Sequence, residues 1–208
     1  MTRYILLITA LLMVVIFFSF SIKPYTTPSQ KVKTSYLAGL NGYINELKAL
    51  QLAIDSGNKK QIQTQFLQSR NSYKKIEAVI EYYYDSYAIN LNGPPIPFFE
   101  ENEPYKLETE PLGMQVIEGL IFPEYDSKNK PALKYQLDEM LRHAIELSAV
   151  NDAIEFNDAT VFDALIEQVY RITALGITGF DSQTAQNALP ECAASLKELQ
   201  HFISFYQL

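Results

Sequence analysis

Apolar residues recur at three- and four-residue intervals from about residue 35 to the end of the chain. Within 35–55, this spacing places one apolar stripe on a helix that packs against a core. The stripe consists of Tyr36, Leu37, Leu40, Tyr43, Ile44, Leu47, Leu50 and Ile54. Gly57 suits a left-handed helix end and Asn58 suits a helix start, so a second long helix is predicted over 59–87. Because the turn between them is so short, the two helices are expected to be antiparallel neighbours.

The same periodicity predicts four more helices towards the C-terminus, over about 112–122, 131–149, 157–172 and 182–206. The sequence LGITGFD at 175–181 is expected to form a turn. Asn157 or Asp158 caps the helix at 157–172, whose core-facing residues are predicted to be Phe162, Leu165, Ile166, Val169 and Ile172. No strand pattern competes with these helices in the sequence. The predicted fold is therefore all-α, an up-and-down helical bundle of five to six helices.

Residues 90–111 interrupt the helical pattern with a stretch that is rich in proline and in acidic residues. A loop of this length in a compact domain is usually either functional or disordered. Its apolar start, 93–99, can pack across the bundle. The acidic part, 100–110, either attracts cations or a basic partner or is simply a solvated excursion.

Arg3 is followed by nineteen uncharged residues, Tyr4–Ile22. This length lies between a long signal peptide and a short transmembrane helix. Ser19-Phe20-Ser21 offers small residues at which a signal peptidase can cut. Residues 1–22 are therefore predicted to be a signal peptide or an N-terminal membrane anchor. Residues 23–34 are predicted to be a linker, and 35–208 a helical bundle domain in the periplasm.

Charge and cysteine content exclude several classes of function. The formal net charge is −7, and an acidic surface repels phosphate backbones, so no nucleic acid partner is expected. Cys192 is the only cysteine. An intramolecular disulfide, a site of several thiolates and covalent c-type haem attachment are thereby excluded.

Two stretches place polar residues on predicted helix faces that are otherwise apolar. Arg70, Tyr73 and Glu77 are three and four residues apart and share one face, which is either buried or a solvated charge face. Gln115 and Glu118 lie on a short, very apolar helix, where a buried Glu118 needs a partner. Arg70 is a candidate for that partner. The sequence therefore predicts a buried polar cluster of Arg70, Tyr73, Glu77, Gln115 and Glu118 that fixes the helix register.

These motifs resemble those of the imelysin family, helical periplasmic proteins linked to iron uptake or regulation and once described as peptidases. That family has Gly-x-His-x-x-Glu where this chain has Gly-x-Gln-x-x-Glu at 113–118. The chain resembles still more closely the helical region before the catalytic part of certain Bacteroidetes di-haem cytochrome c peroxidases. The shared motifs here are Lys74–Glu77, Glu81–Tyr83, Asn92–Pro95, Pro111–Glu118 and Leu175–Asp181.

The resemblance covers most of 35–206 and implies a non-enzymatic module in iron, haem or periplasmic redox biology. The implied partner is a periplasmic protein such as a di-haem peroxidase, and iron or haem is implied by the resemblance alone. Family imelysins are about twice as long and contain two bundles. The haem-attachment motifs of the peroxidases are missing from this chain, so no peroxidase activity and no catalytic residue is carried over.

The candidate metal ligands are Glu77, Gln115 and Glu118. A neutral amide is a poor ligand for iron or zinc, so a tight transition-metal site is not expected. Two alternatives stay open: an iron-binding carrier that uses Glu77, Glu118 and the acidic loop, and a metal-dependent, peptidase-like hydrolase.

Other candidate residues have simpler structural explanations. His143 and Glu146 have the spacing of a di-iron ligand pair, but a chance surface pair explains them as well. The tyrosines at 82–84 and Tyr87 can stack a flat ligand such as haem, or can pack in the core. Cys192 lies near a helix start and is expected to be a small packed residue.

Overall fold

The computed structural model describes residues 26–96, 98–99, 108–151 and 154–207, and for 98–99 and 108–109 it describes the backbone alone. The described chain is almost wholly helical. Its helices are α1 (Pro28–Ser56), α2 (Lys59–Lys74), α3 (Glu77–Tyr83), α4 (Asp85–Asn92), α5 (Met114–Ile121), α6 (Lys130–Val150), α7 (Asp158–Arg171) and α8 (Ala188–Ser204). A 3-10 turn at Ser127–Asn129 leads into α6, and a π-helical turn at Ile172–Gly176 extends α7. The predicted leader at 1–22 lies outside the described residues. Of the helices given above, none combines the length and apolarity needed to span a membrane.

The helices pack around one core to which α1 contributes along its whole length. α1 lies against α2 and α6, α2 also contacts α5 and α8, α3 packs on α7, and α4 packs on α6. Tyr36, Tyr43 and Tyr73 are completely buried in this core, and the rings of Tyr43 and Tyr73 lie 5.5 Å apart. Burying such large side chains supplies the main stabilising free energy, because each contributes roughly 1.5–3 kcal/mol.

α1 begins earlier than the linker predicted at 23–34 allows. Thr27 accepts a hydrogen bond from the Gln30 backbone amide, and the Gln30 side chain accepts one from the Thr27 amide. Pro28 occupies the first helical position, where its missing N–H costs nothing. This capping box makes residues 28–34 helical and carries Val32 into the core.

The single helix predicted over 59–87 is three helices, with breaks at Lys75–Ile76 and at Tyr84. Ile76 is completely buried at the first break. At the second break, the Tyr84 ring stacks with Tyr36 and its hydroxyl donates to Asn151 Oδ1 at 2.7 Å. The sequence spacing missed both breaks because long-range contacts, not local propensity, determine them.

α7 is rotated relative to the predicted orientation. Leu165 and Ile172 are buried as predicted, but Phe162, Ile166 and Val169 are 41%, 54% and 48% exposed. The buried face consists of Val161, Ala164, Leu165 and Gln168. The rotation has a physical cause: it turns Gln168 inward, where its amide donates to the Glu77 carboxylate at 2.6 Å. An unpaired buried carboxylate costs more free energy than an exposed apolar side chain.

The last helix starts at Ala188 rather than at the predicted residue 182. Residues 172–176 continue α7 as a π-helical turn, and Gly179 adopts a φ of 80° in the segment that follows. The backbone carbonyl of Asp181 and the amides of Thr184 and Ala185 bind side chains of other helices. These backbone groups are therefore not available for a helical hydrogen-bond ladder.

The proline-rich loop begins later than predicted, because α4 extends to Asn92. Phe98–Phe99 and Glu108–Thr109 form a two-residue antiparallel pair, with Phe98 opposite Thr109 and Phe99 opposite Glu108. The sequence pattern did not indicate this pairing, and a pair this short adds little to an otherwise helical fold.

Candidate functional site: a buried polar cluster beside an open pocket

Arg70 on α2 is completely buried and forms the centre of a polar cluster. Its Nε and Nη2 atoms donate to the two carboxylate oxygens of Glu191 on α8 at 3.1 and 2.5 Å. Nη1 donates to Asn92 Oδ1 at 2.6 Å, and Nη2 also donates to the backbone oxygen of Asp181 at 2.6 Å. Burial lowers the pKa of Arg70, but the Glu191 carboxylate more than offsets this effect, so the pKa is raised. The guanidinium therefore remains charged and ties α2 to α4, α8 and the segment before α8.

Lys74, one turn further along α2, is the second buried cation. Its Nζ donates to Glu77 Oε1 at 2.6 Å and to Asp181 Oδ2 at 2.9 Å, and lies 4.0 Å from Glu191 Oε2. Burial lowers the pKa of Lys74, but the charges of Glu77, Asp181 and Glu191 together outweigh this effect, so the pKa is raised. The pKa of Asp181 is lowered, because Lys74 more than offsets the effect of burial. Lys74 and Asp181 thus favour each other's charged form.

Glu77 extends the cluster to α7 and α8. Its Oε2 accepts a hydrogen bond from Gln168 Nε2 at 2.6 Å, and Ser195 Oγ lies 3.5 Å away. Gln168 Oε1 and Arg171 Nε are buried without a hydrogen-bond partner among the residues described. Both residues line an enclosed cavity of about 10 Å³, which is enough for a single water molecule.

The sequence suggested that Glu118 on α5 pairs with Arg70, but the structure gives Glu118 other partners. Its Oε1 accepts hydrogen bonds from the backbone amides of Thr184 and Ala185, both at 2.7 Å. Gln115 lies one turn earlier on α5, and its amide donates to the backbone oxygen of Asn92 at 3.1 Å. Gln115 therefore binds the end of α4, and Glu118 binds the segment before α8. Arg70 binds the same two segments.

The completely buried Tyr73 and the half-buried Glu81 form a separate branch of the cluster. The Tyr73 hydroxyl lies 3.3 Å from Glu81 Oε1, which also accepts a hydrogen bond from Arg171 Nη2 at 2.9 Å. Burial raises the pKa of Glu81 to about 7, with Arg171 opposing the shift and Glu77 adding to it. Glu81 therefore titrates near neutral pH.

An open pocket of about 270 Å³ adjoins the cluster on the side of α5. Its lining residues are Pro95, Gln115, Val116, Glu118, Gly119, Leu120, Phe180, Asp181, Gln183 and Thr184. Glu118 is only 2% exposed. Its Oε1 binds the backbone amides of Thr184 and Ala185. Among the residues described, no donor binds its Oε2. The lining includes Glu118 and Asp181 but no Lys or Arg, so this pocket combines carboxylate chemistry with apolar walls.

The donor set does not fit a transition-metal ion. Glu77 is occupied by Lys74 and Gln168, whereas Glu118 is bound to backbone amides. Within the described residues, His, Cys, Asp and Glu side chains do not form any group of three or more that could hold a metal. A site built from Glu77, Gln115 and Glu118 would need three side chains that now bind different partners.

The sequence prediction placed three of its five cluster residues, Arg70, Tyr73 and Glu77, on one face of a helix, and all three are buried. It missed the residues that bind them, which are Lys74, Asn92, Gln168, Asp181, Glu191 and Ser195. A usable signal existed at Lys74, since it lies one helical turn after Arg70. Glu191 and Asp181 gave no comparable signal, because they are 121 and 111 residues from Arg70 in sequence.

The remaining candidates from the sequence have packing roles. His143 Nδ1 lies 3.6 Å from Glu146, and its ring packs edge-on against Tyr87. Burial, together with Arg142, lowers the pKa of His143. Cys192 is buried, and burial raises the pKa of its thiol, which disfavours the reactive thiolate.

The tyrosines at 82–84 contact protein groups rather than line an open slot. The Tyr83 ring stacks on Phe156 with ring centres 4.4 Å apart, and the Tyr82 hydroxyl lies 3.4 Å from Asp163. Most of the acidic loop at 100–110 lies outside the described residues.

In comparisons with known proteins, no protein-family model matches the chain and no curated protein matches its sequence.

Proposed function

We propose that this chain is a non-enzymatic, imelysin-like helical module of the periplasm whose pocket beside α5 recognises a basic group of a partner protein. In this proposal the segment 1–22 exports or anchors the chain, and the helices form a single up-and-down bundle. The partner belongs to iron, haem or redox biology, with a di-haem cytochrome c peroxidase as the expected example. The family and the partner rest on the motif resemblance, including 70–77 and 113–118, whereas export rests on the uncharged run at 4–22 and the bundle on the helical periodicity.

The observation that carries the proposal is the buried carboxylate of Glu118 at a pocket of about 270 Å³. Two backbone amides fix its Oε1 at 2.7 Å, so the side chain is held in place before any ligand arrives. The buried cluster around it contains four carboxylates, Glu77, Glu118, Asp181 and Glu191, and two cations, Arg70 and Lys74. This gives a formal charge of −2, which favours a cationic group in the pocket.

The apolar walls narrow the class of ligand further. Val116, Leu120 and Phe180 provide apolar surface on which an alkyl chain can pack, while Glu118 supplies the charged end. A lysine or arginine side chain has both features, because its apolar stem carries a cationic head. A bare metal ion would use neither the apolar walls nor the depth of the pocket.

Calorimetric titration with n-butylammonium and with n-butylguanidinium tests this function. Both probes are expected to bind with dissociation constants on the order of 1 mM, because a small ligand captures only part of a protein contact. Glu118→Gln keeps an oxygen for the two backbone amides and is expected to abolish measurable binding. Glu124→Gln removes a carboxylate whose side chain is 82% exposed, and is the matched control.

Butanol and butyrate separate the charge contribution from the apolar one, since they share the alkyl chain and lack the cation. Equal binding of butanol and n-butylammonium would contradict recognition of a basic group. Near-stoichiometric iron or zinc in the purified protein, lost in Glu118→Gln, would instead support the metal-carrier alternative.

A further inference from the structure

α7 and α8 are antiparallel neighbours that expose an unusual amount of apolar surface. Near the start of α7, the Phe162 ring packs on Tyr206, just after α8, with ring centres 4.9 Å apart. After the end of α7, a Cβ at Gly176 would lie 2.7 Å from Cys192 Sγ, near the start of α8. The two helices therefore run side by side in opposite directions.

Nine of the fifteen large apolar side chains that are exposed in the described structure lie between residues 162 and 203. We call them the α7–α8 apolar face. It consists of Phe162, Ile166, Val169, Tyr170, Ile177, Phe180, Leu189, Leu196 and Ile203. Their exposed fractions range from 41% for Phe162 and Ile203 to 71% for Leu189. Exposed apolar surface of this extent marks an interaction site.

The spacing of these residues matches that of helices that pack against other helices. On α7, Phe162, Ile166 and Val169 follow one another at intervals of four and three residues. On α8, Leu189, Leu196 and Ile203 recur every seven residues. Alternating three- and four-residue steps, or a seven-residue repeat, place side chains on one seam that can interdigitate with a facing helix.

The contacts of α7 and α8 with the rest of the protein place each seam on the flank away from the helix it packs on. The opposite flank of α7 contacts α3, where Thr160 and Arg171 bind Tyr83 and Glu81. The opposite flank of α8 contacts α2, where Glu191 binds Arg70. The exposed apolar residues of each helix lie on the flank turned away from these contacts.

We propose that the α7–α8 apolar face binds a second copy of this chain, with α7 of each copy packed against α8 of the other. Such a dimer has two-fold symmetry and pairs apolar seam with apolar seam at both contacts. Phe180 also lines the pocket beside α5, but the seam residues of α7 and α8 do not, so the dimer and the pocket can be tested separately.

The area of the face agrees with a stable dimer. An aromatic side chain loses roughly 150–250 Å² when it is fully buried, and an aliphatic side chain loses somewhat less. Covering the exposed half of nine such side chains therefore removes on the order of 800 Å² from each copy. This is about what each partner contributes to a specific interface of standard size.

Charges beside the seams favour the packing of α7 on α8 of the second copy over the packing of α7 on α7. Asp163 and Glu167 flank the seam of α7, and Lys197 flanks the seam of α8. Packing α7 on α8 of the second copy brings Lys197 near the two acidic residues, whereas α7 on α7 would bring acidic residues together. Opposite charges at the rim favour the correct partner, and like charges disfavour the wrong one.

Sedimentation velocity of the full chain, in a density-matched mild detergent, tests the proposal. We expect a dimer with a dissociation constant of about 10 µM or below. Ile166→Glu and Leu196→Glu are each expected to raise this constant by at least about tenfold, because each buries a charge in the seam. Leu52→Glu changes a residue on α1 that is 72% exposed, and is expected to leave the constant unchanged. Circular dichroism melting of the three variants verifies that each is folded.

A charge exchange tests the pairing of α7 with α8 directly. Lys197→Glu is expected to weaken the dimer, and Asp163→Lys in the same chain is expected to restore it. A chain that stays monomeric at about 100 µM overturns the proposal, as does a dimer that neither seam variant weakens. If Lys197→Glu weakens the dimer and Asp163→Lys does not restore it, the packing of α7 on α8 of the second copy is rejected.

Discussion

Replacing Glu191 with alanine removes the carboxylate that binds Arg70, the most deeply buried charge among the described residues. Glu191 accepts two hydrogen bonds from Arg70, at 3.1 and 2.5 Å, and one from Asn187 at 3.2 Å. Glu191→Ala leaves Asn92 Oδ1 and the carbonyl of Asp181 as acceptors for the guanidinium, both of them neutral. Arg70 is 0% exposed, so water cannot reach it without opening the helix packing.

The expected loss of stability follows from this burial. Removing one member of a buried ion pair costs about 3–5 kcal/mol, since the remaining charge stays in a medium of low dielectric. This is a large share of the 5–15 kcal/mol that typically holds a domain together. For a domain of this size, it corresponds to a fall in Tm of roughly 10 °C.

Urea unfolding followed by circular dichroism measures the effect, with Glu146→Ala as the matched control. Glu146 also binds an arginine, Arg142, but its side chain is 46% exposed, so the expected cost is at most about 1 kcal/mol. A double-mutant cycle with Arg70→Met should give a coupling free energy of at least about 2 kcal/mol. A loss below about 1 kcal/mol for Glu191→Ala would refute the assignment of Arg70 and Glu191 as the main buried ion pair.

Three further predictions address the pH response, the metal question and the backbone near the pocket. Burial raises the pKa of Glu81 from 4.5 to about 7, so its contribution to stability is present below pH 4.5 and is lost as the pH rises through 7. Glu81→Gln should therefore flatten the dependence of the unfolding free energy on pH between about 5 and 7 in urea titrations. Gln115→His should not bind iron or zinc in metal analysis, because Glu77 and Glu118 have other partners. Gly113→Ala should cost about 2–4 kcal/mol in the same unfolding assay, since φ is 107° and the new Cβ would lie 2.7 Å from the Leu91 carbonyl. Gly42→Ala, which has free space on α1, should be neutral or slightly stabilising.

Local sequence signals predicted most of the helices because the relevant interactions are local. Asn58 and Asn157 accept hydrogen bonds from backbone amides at the starts of α2 and α7, as their positions in the sequence indicated. The early start of α1 was predictable too, since Thr27 and Gln30 form a capping box, although residues 23–34 also contain two prolines, which are common in linkers. One of them, Pro28, is at a position where helices favour proline.

Long-range contacts explain what the sequence could not predict. The orientation of α7 depends on a hydrogen bond between Gln168 and Glu77, which are 91 residues apart. The partner of Arg70 is Glu191 rather than Glu118, although both are acidic residues on apolar helices. Helical periodicity indicates which side chains turn inward, but it carries no information on which of them meet.

The contact between Arg70 and Glu191 also has a consequence for synthesis of the chain. Arg70 leaves the ribosome 121 residues before its counterion, which is a delay of roughly 6–24 s at 5–20 residues per second. Until α8 is made, α2 cannot bury its guanidinium without a large loss of free energy. A product that stops before α8 is therefore expected to be less stable and more sensitive to proteases than the full chain. The missing ion pair thus adds to the missing packing of Leu199 and Phe202 in a chain that lacks the last helix.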